Sequence, residues 1–147
     1  MGLDMYLEKE IYVGAEYAHN KVEGTIYITR NGKKLPINFN KVSSITERVA
    51  YWRKANMIHN WFVQNVQNGV DDCGRYFVSV EKLEELVNIC KEVLADHSKA
   101  EELLPTAEGF FFGNTNYDED YFYDLEITVE QLSNLDENDD YYYSSSW

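Results

Sequence analysis

The sequence predicts an α+β fold, a single globular domain over residues 1–147 in which a mixed or antiparallel sheet with an Asn-Gly hairpin packs against three helices. Residues 3–13 alternate between apolar and polar side chains, as a half-buried strand does. Asn31-Gly32 separates two runs rich in β-forming residues. Three later segments repeat apolar residues at helical spacing. With 147 residues, of which 44% are hydrophobic, the chain is long enough to bury a core of its own.

The first elements are a strand at 3–13 and a hairpin with arms at 25–30 and 33–39. Both residues of the Asn31-Gly32 pair tolerate positive φ, which a type I′ turn requires. Pro36 has no N–H to donate to a ladder, so the second arm is predicted to be an edge.

A capping-box motif at 44–47, Ser-Ile-Thr-Glu, predicts that the first helix begins there, runs to about Asn68 and ends at Gly69. At 100° per residue, this helix would place Asn56 and His59 inside an otherwise apolar stripe. Arg53 and Asn60 would lie on the adjoining row.

The remaining elements follow from caps, apolar spacing and helix breakers. In chain order they are a strand at 75–80, a second helix capped by Ser79, a short helical extension ended by Pro105, a buried strand or aromatic loop at 109–113, a third helix after the acidic residues 118–120, and a strand at 141–147.

The composition restricts the partners. With 26 acidic and 13 basic residues, the formal net charge is −13, which repels nucleic-acid phosphates and anionic membranes. Three explanations of the acidic charge remain: a basic protein partner, mimicry of nucleic acid, and plain solubility. The two cysteines form no CxxC pair, and neither a transmembrane run nor a signal-like segment occurs. We therefore expect a cytoplasmic protein.

The candidate site is the middle of the predicted first helix. Burying an unpaired amide or imidazole costs about 1–3 kcal/mol, so a ligand, a partner chain or an internal network must satisfy Asn56 and His59. Arginine and amides suit a phosphate, a carboxylate or a nucleobase edge, and indoles suit stacking on a planar ring. The predicted ligand-binding residues are Trp52, Arg53, Asn56, His59, Asn60, Trp61 and Asp72. The alternative is a satisfied core network that joins this helix to the sheet, and the sequence leaves both open.

No catalytic residue, cofactor or metal site is predicted. His59 with Asp71 or Asp72 has the chemistry of a general acid/base pair, but no motif fixes their geometry. Residues 114–120 have the alternating oxygen donors of a calcium loop, yet Glu119 replaces the required glycine and Leu125 the bidentate glutamate.

Several blocks together resemble a family of small, uncharacterised proteins encoded by tailed bacteriophages and prophages. They are residues 1–7 (MGLDMYL), 51–63 (YWRKANMIHNWFV), 69–73 (GVDDC), 102–106 (ELLPT), 109–113 (GFFFG) with 117–118 (YD), and 143–147 (YSSSW). The resemblance implies a phage accessory protein that acts in the bacterial cytoplasm and counters host defence.

Two functions are consistent with that context. The first is non-enzymatic binding of a small planar or phosphorylated, nucleotide-like ligand. The second is an interaction in which the acidic, tyrosine-rich segments 118–124 and 136–143 occupy a basic host protein. Neither involves direct nucleic-acid or membrane binding, and the sequence leaves a homo-oligomer open.

Overall fold

The computed structural model describes residues 2–14, 17–20 and 22–147. The strands in this part of the chain are β1 (Asp4–Tyr12), β2 (Thr29–Arg30), β3 (Lys33–Lys34), β4 (Ser44–Arg53), β5 (Arg75–Val78) and β6 (Asp140–Ser146). The α-helices are α1 (Asn56–Asn65), α2 (Val80–Ala95), α3 (Ala100–Leu103) and α4 (Glu119–Gln131), and short 3₁₀ turns lie at Ala18–Asn20, Phe39–Lys41 and His97–Lys99. The α+β class is confirmed.

The main sheet has four strands in the order β4-β1-β6-β5, and every neighbouring pair is antiparallel. Met5 lies opposite Trp52 on one side and Ser145 on the other, and Leu7 lies between Ala50 and Tyr143. Because side chains alternate along a strand, this register places the buried residues Met5, Leu7, Ala50, Trp52 and Tyr143 on one face. That face packs against the helices and the other face is open.

The core lies between the sheet and helices α1, α2 and α4. Its helical part includes Ile58, Phe62, Leu83, Leu86 and Leu125, each with no exposed surface. The predicted caps form: Ser79 Oγ accepts the Lys82 N–H at 3.3 Å and Asp118 Oδ1 accepts the Tyr121 N–H at 3.1 Å. The predicted strands at 3–13, 75–80 and 141–147 and the helices after Ser79 and Asp118 are confirmed.

The prediction of a helix from Ser44 is wrong, because residues 44–53 form β4, which pairs along the whole of β1. Propensity explains part of this result, since β-branched and aromatic residues such as Ile45, Val49 and Trp52 fit a pleated surface better than a helix. Pairing with β1 explains the rest, because it satisfies the backbone and buries alternate side chains.

Helix α1 is therefore shorter than predicted at both ends. It begins at Asn56, after Lys54 turns the chain with φ 60°, and it ends at Asn65. The chain then turns through Gly69, at φ 78°, whose N–H donates to the Val63 carbonyl at 2.8 Å. Gly69 ends a turn after the helix instead of the helix itself.

The predicted hairpin is confirmed at its turn, where Asn31 and Gly32 have φ values of 52° and 74°. Its strands β2 and β3 have two residues each and form a separate two-stranded sheet. Pro36 lies outside both strands. Residues 109–113 form an aromatic loop in which Phe112 is buried while Phe110 and Phe111 are exposed.

None of the helices in the described residues combines the length and the apolar character needed to cross a membrane.

Candidate functional site

Asn56 is buried at the start of α1, and three hydrogen bonds to one loop use its amide group. Its Nδ2 donates to the carbonyls of Phe112, at 3.1 Å, and Asn114, at 2.8 Å, and its Oδ1 accepts the Ala107 N–H at 3.1 Å. The amide thus holds the 107–114 segment against α1. A side chain that is fully bonded inside the protein needs no ligand.

His59 lies one turn later and forms the centre of a buried relay. Its Nε2 is 2.9 Å from Asp71 Oδ2 and its Nδ1 is 2.7 Å from the Tyr143 hydroxyl. A carboxylate only accepts, so Nε2 donates to Asp71, and in the corresponding neutral tautomer Nδ1 accepts the Tyr143 O–H. The Trp147 indole donates to the other Asp71 oxygen at 3.0 Å.

The centre of the relay is buried, whereas Asp71 at its end is half-buried. His59 is 1% exposed. Tyr143 is fully buried and stacks on Phe62, with ring centroids 3.8 Å apart. Burial, with the nearby Asp71 charge, raises the pKa of Tyr143 well above its usual value. A general base must come within hydrogen-bond reach of the proton that it takes, and the burial of His59 and Tyr143 keeps both out of contact with a substrate in this structure.

Asp72, the other acid considered beside His59, belongs to a different local structure. Its carboxylate accepts the Tyr76 hydroxyl at 2.8 Å and 2.9 Å and the Gly74 N–H at 2.9 Å. These bonds, chiefly the one from Tyr76, lower the pKa of Asp72. Asp72 therefore closes an exposed turn before β5.

The two predicted indoles are core residues. Trp52 is 2% exposed, and its Nε1 donates to Thr128 Oγ1 on α4 at 2.8 Å. Trp61 is 5% exposed and meets Phe62 edge to face. Asn60 is half-buried on α1. Because residues 44–53 are a strand, Trp52 and Arg53 point to opposite faces of the sheet instead of sharing a helical surface.

Of the seven predicted residues, Arg53 and Asn56 line one cleft of about 290 Å³. We call it the corner cleft, since it lies where β4 turns into α1, next to the loop after Phe112 and the first half of α4. Its lining residues are Arg53, Lys54, Asn56, Met57, Gly113, Asn114, Asn116, Asp118, Asp120, Tyr121, Tyr123 and Asp124.

The walls of the corner cleft carry opposite charges. Arg53 and Lys54 lie on one wall, at the end of β4, and Asp118, Asp120 and Asp124 lie on the other, along α4. Among the described residues no salt bridge joins the two walls. The fold thus holds two sets of charges apart across a space of small-molecule size.

Asp124 is a half-buried carboxyl in the wall of the corner cleft. Burial, followed by the charges of Asp120 and Asp118, raises the pKa of this carboxyl from 3.8 to about 6. No cation in the described part of the chain is paired with it. The sequence held one signal for this residue, because Asp120 and Asp124 are four apart on a helix and so share a face.

Replacing Asp124 by Asn is expected to raise the free energy of unfolding at pH 7 by about 1–2 kcal/mol, after allowance for partial exposure. The folded pKa lies above the unfolded one, so Asp124 favours the folded state most below pH 3.8, and that contribution is lost as the pH rises through about 6. The gain should therefore be absent near pH 3.8. Urea unfolding at both pH values measures it, with the exposed Glu126→Gln on the same helix as control. A gain equal at both pH values would contradict the assignment.

Other reactive groups offer little chemistry. Burial raises the pKa of the Cys90 thiol to about 12, which leaves it protonated and inert, and Cys73 is exposed in a turn. The described residues contain no group of three or more His, Cys, Asp or Glu side chains placed to hold a metal ion.

Comparison with protein-family models, curated proteins and solved structures found no match to this chain.

Proposed function

We propose that this chain is a non-enzymatic binding protein whose corner cleft takes a small, nucleotide-like ligand. The observation that supports the proposal is that the two walls carry opposite charges and that no salt bridge between described residues joins them. Arg53 and Lys54 suit a phosphate, and Asp124 suits the N–H donors of a nucleobase edge. Tyr123, which is 59% exposed at the rim, offers a ring for stacking.

The volume and the electrostatics support the same class of ligand. About 290 Å³ is at the small end of ligand sites. A purely anionic ligand would face three carboxylates, and a purely cationic one would face Arg53 and Lys54. A molecule with phosphate at one end and N–H donors at the other complements both walls.

Titration of ¹⁵N-labelled protein with GMP tests the proposal, because guanine presents two neighbouring N–H donors that one carboxylate can accept. We expect GMP to shift the amide signals of residues 53–57 and 113–124. Guanosine, which lacks the phosphate, and inorganic phosphate, which lacks the base, should bind more weakly. Shifts confined to other residues, or none at millimolar GMP, would refute a nucleotide site.

Two variants should distinguish the contributions of the two walls to ligand binding. Arg53→Gln should weaken GMP binding by about tenfold and leave guanosine binding unchanged, since it removes a phosphate contact. Asp124→Asn should weaken both. The exposed Lys91→Gln and Glu126→Gln, which lie outside the corner cleft, are the matched controls. Because a bound N–H donor favours ionised Asp124, wild-type affinity should rise as the pH increases through about 6.

A basic protein partner is the second candidate, and the exposure of Tyr123 beside the acidic wall favours it. The surface differs from the one proposed from sequence, because Tyr141 and Tyr143 are core residues and Asp139 pairs with Lys9 at 3.4 Å. Segment 118–124 is left as the acidic, tyrosine-bearing surface. A lysine-rich peptide that shifts these signals more strongly than GMP, and in a salt-sensitive manner, would favour this candidate.

The cellular role is proposed on the resemblance to phage and prophage proteins. In that setting, a cytoplasmic protein that sequesters a nucleotide signal would counter host defence without any catalytic step. Co-expression with defence systems that depend on such signals, using wild type and Asp124→Asn, tests this role. Equal protection by both proteins would show that the role in countering host defence does not depend on the corner cleft.

A further inference from the structure

The segment 22–43, which includes the hairpin, contributes nothing to the core. None of its side chains is buried, and four are half-buried: Ile26, Leu35, Phe39 and Val42. We call this segment the arm. Burial of apolar surface is the main force that holds an element to a domain, and the arm has very little of it.

The arm nevertheless carries a large apolar surface. Tyr27 is 70% exposed, and Val22, Ile28 and Ile37 are also exposed. Between its two halves lies an open groove of about 730 Å³, lined by Gly24, Thr25, Ile26, Lys34, Pro36, Ile37, Asn38 and Phe39. Several exposed apolar side chains beside a groove are typical of an interaction site.

The charge of the arm is opposite to that of the body. The arm holds four basic residues, Arg30, Lys33, Lys34 and Lys41, and one acidic residue. The remaining residues hold nine basic and 25 acidic side chains. A basic, apolar segment on an acidic protein is complementary to an acidic, apolar surface.

The body of the same chain carries such a surface. Phe110 is 77% exposed and Phe111 is 43% exposed, with ring centroids 4.4 Å apart, and the acidic Glu108 precedes Phe110 by two residues in the chain. We call Phe110 and Phe111 the aromatic tip. It is held in place because the Phe111 carbonyl accepts the Leu3 N–H at 3.3 Å and because the next residue, Phe112, is buried.

The backbone at the aromatic tip is strained, which also points to a role for these rings. Phe111 has a φ of 64°, in the left-handed region that costs a bulky residue about 1–3 kcal/mol. Glycine would remove that strain. The strained backbone thus presents two aromatic side chains that both remain exposed to solvent.

We propose that the protein forms a two-fold dimer in which the groove of each arm takes the aromatic tip of the other copy. A second copy fits best because one molecule carries both complementary surfaces, so reciprocal exchange uses each surface once and closes the assembly. Nucleic acid fits less well, since the acidic body repels phosphate. The inference does not depend on the ligand of the corner cleft.

Sedimentation equilibrium of the full chain tests the dimer. We expect a reversible dimer that weakens with salt, and a rise in Kd of about tenfold or more for Lys33→Glu with Lys34→Glu and for Phe110→Ser. The matched controls are Lys82→Glu with Lys91→Glu on α2, and Phe77→Ser on β5, which is 56% exposed. Both controls should dimerise as wild type does. All positions changed on the arm and the tip are exposed, so circular dichroism should show unchanged folding.

Mixing the two defective proteins gives a sharper result. The lysine variant keeps an intact aromatic tip and Phe110→Ser keeps an intact arm, so a mixed dimer retains one of the two contacts. The mixture should associate more tightly than either variant alone. A monomeric wild type, a dimer insensitive to either change, or a mixture no better than its parts would overturn the proposal, as would arm-dependent binding of an oligonucleotide by a monomer.

Discussion

Asn56→Ala is expected to lower the free energy of unfolding by about 3 kcal/mol, since each of its three hydrogen bonds contributes about 1 kcal/mol net. The change also leaves the Ala107 N–H and the carbonyls of Phe112 and Asn114 without their partner. Urea unfolding followed by tryptophan fluorescence measures the loss. Hydrogen exchange at Ala107 should accelerate as well, because that amide loses its acceptor.

Asn60→Ala is the matched control. It removes the same amide one turn later on α1, where the side chain is half-buried and forms no hydrogen bond with the described residues. Its effect should stay within about 0.5 kcal/mol. Helix propensity favours alanine over asparagine at both positions, so similar losses for the two variants would show that the hydrogen bonds to the 107–114 segment do not account for the effect at Asn56.

His59→Ala is expected to cost about 3–4 kcal/mol, the sum of a cavity among aromatic rings and two broken hydrogen bonds. The ring lies edge-on to Phe112, with centroids 5.3 Å apart, and bridges Asp71 to Tyr143. Loss of the ring leaves the Tyr143 hydroxyl buried in the core without a hydrogen-bond partner. Thermal and urea unfolding both report the change.

The relay also predicts coupling between its members. In a double-mutant cycle, His59→Ala and Tyr143→Phe should be less damaging together than their separate losses imply, by about 1 kcal/mol or more. The exposed His97, which stacks on Phe122 at 3.7 Å, supplies the control for a histidine outside the core. A His59 loss no larger than that of His97→Ala, or additivity with Tyr143→Phe, would contradict a structural relay.

Local periodicity explains why most of the fold could be predicted. The alternation over β1, the Asn31-Gly32 turn, the Ser79 cap and the stripe of α2 each depend on neighbours along the chain. Residues 44–53 are the exception. A capping-box pattern and an apolar spacing compatible with a helix were overridden by pairing with β1, which lies more than thirty residues earlier.

That single error rearranged the predicted site. In a helix, Trp52 and Arg53 would have bordered the same surface as Asn56 and His59. In β4, Trp52 enters the core and bonds Thr128, while Arg53 lines the corner cleft. The acidic wall of the cleft was present in the sequence as helix-capping residues, but nothing in the local pattern placed it opposite Arg53 and Lys54.

The sequence by itself determined that Asn56 and His59 must find partners, because buried polar groups are costly wherever they lie. It also determined the charge and the turn chemistry. Only the tertiary structure decided which partners bind Asn56 and His59. Phe112 is 56 residues from Asn56, and Tyr143 is 84 residues from His59. Such pairings depend on how strands order themselves in a sheet, a property of the whole chain that no short segment carries.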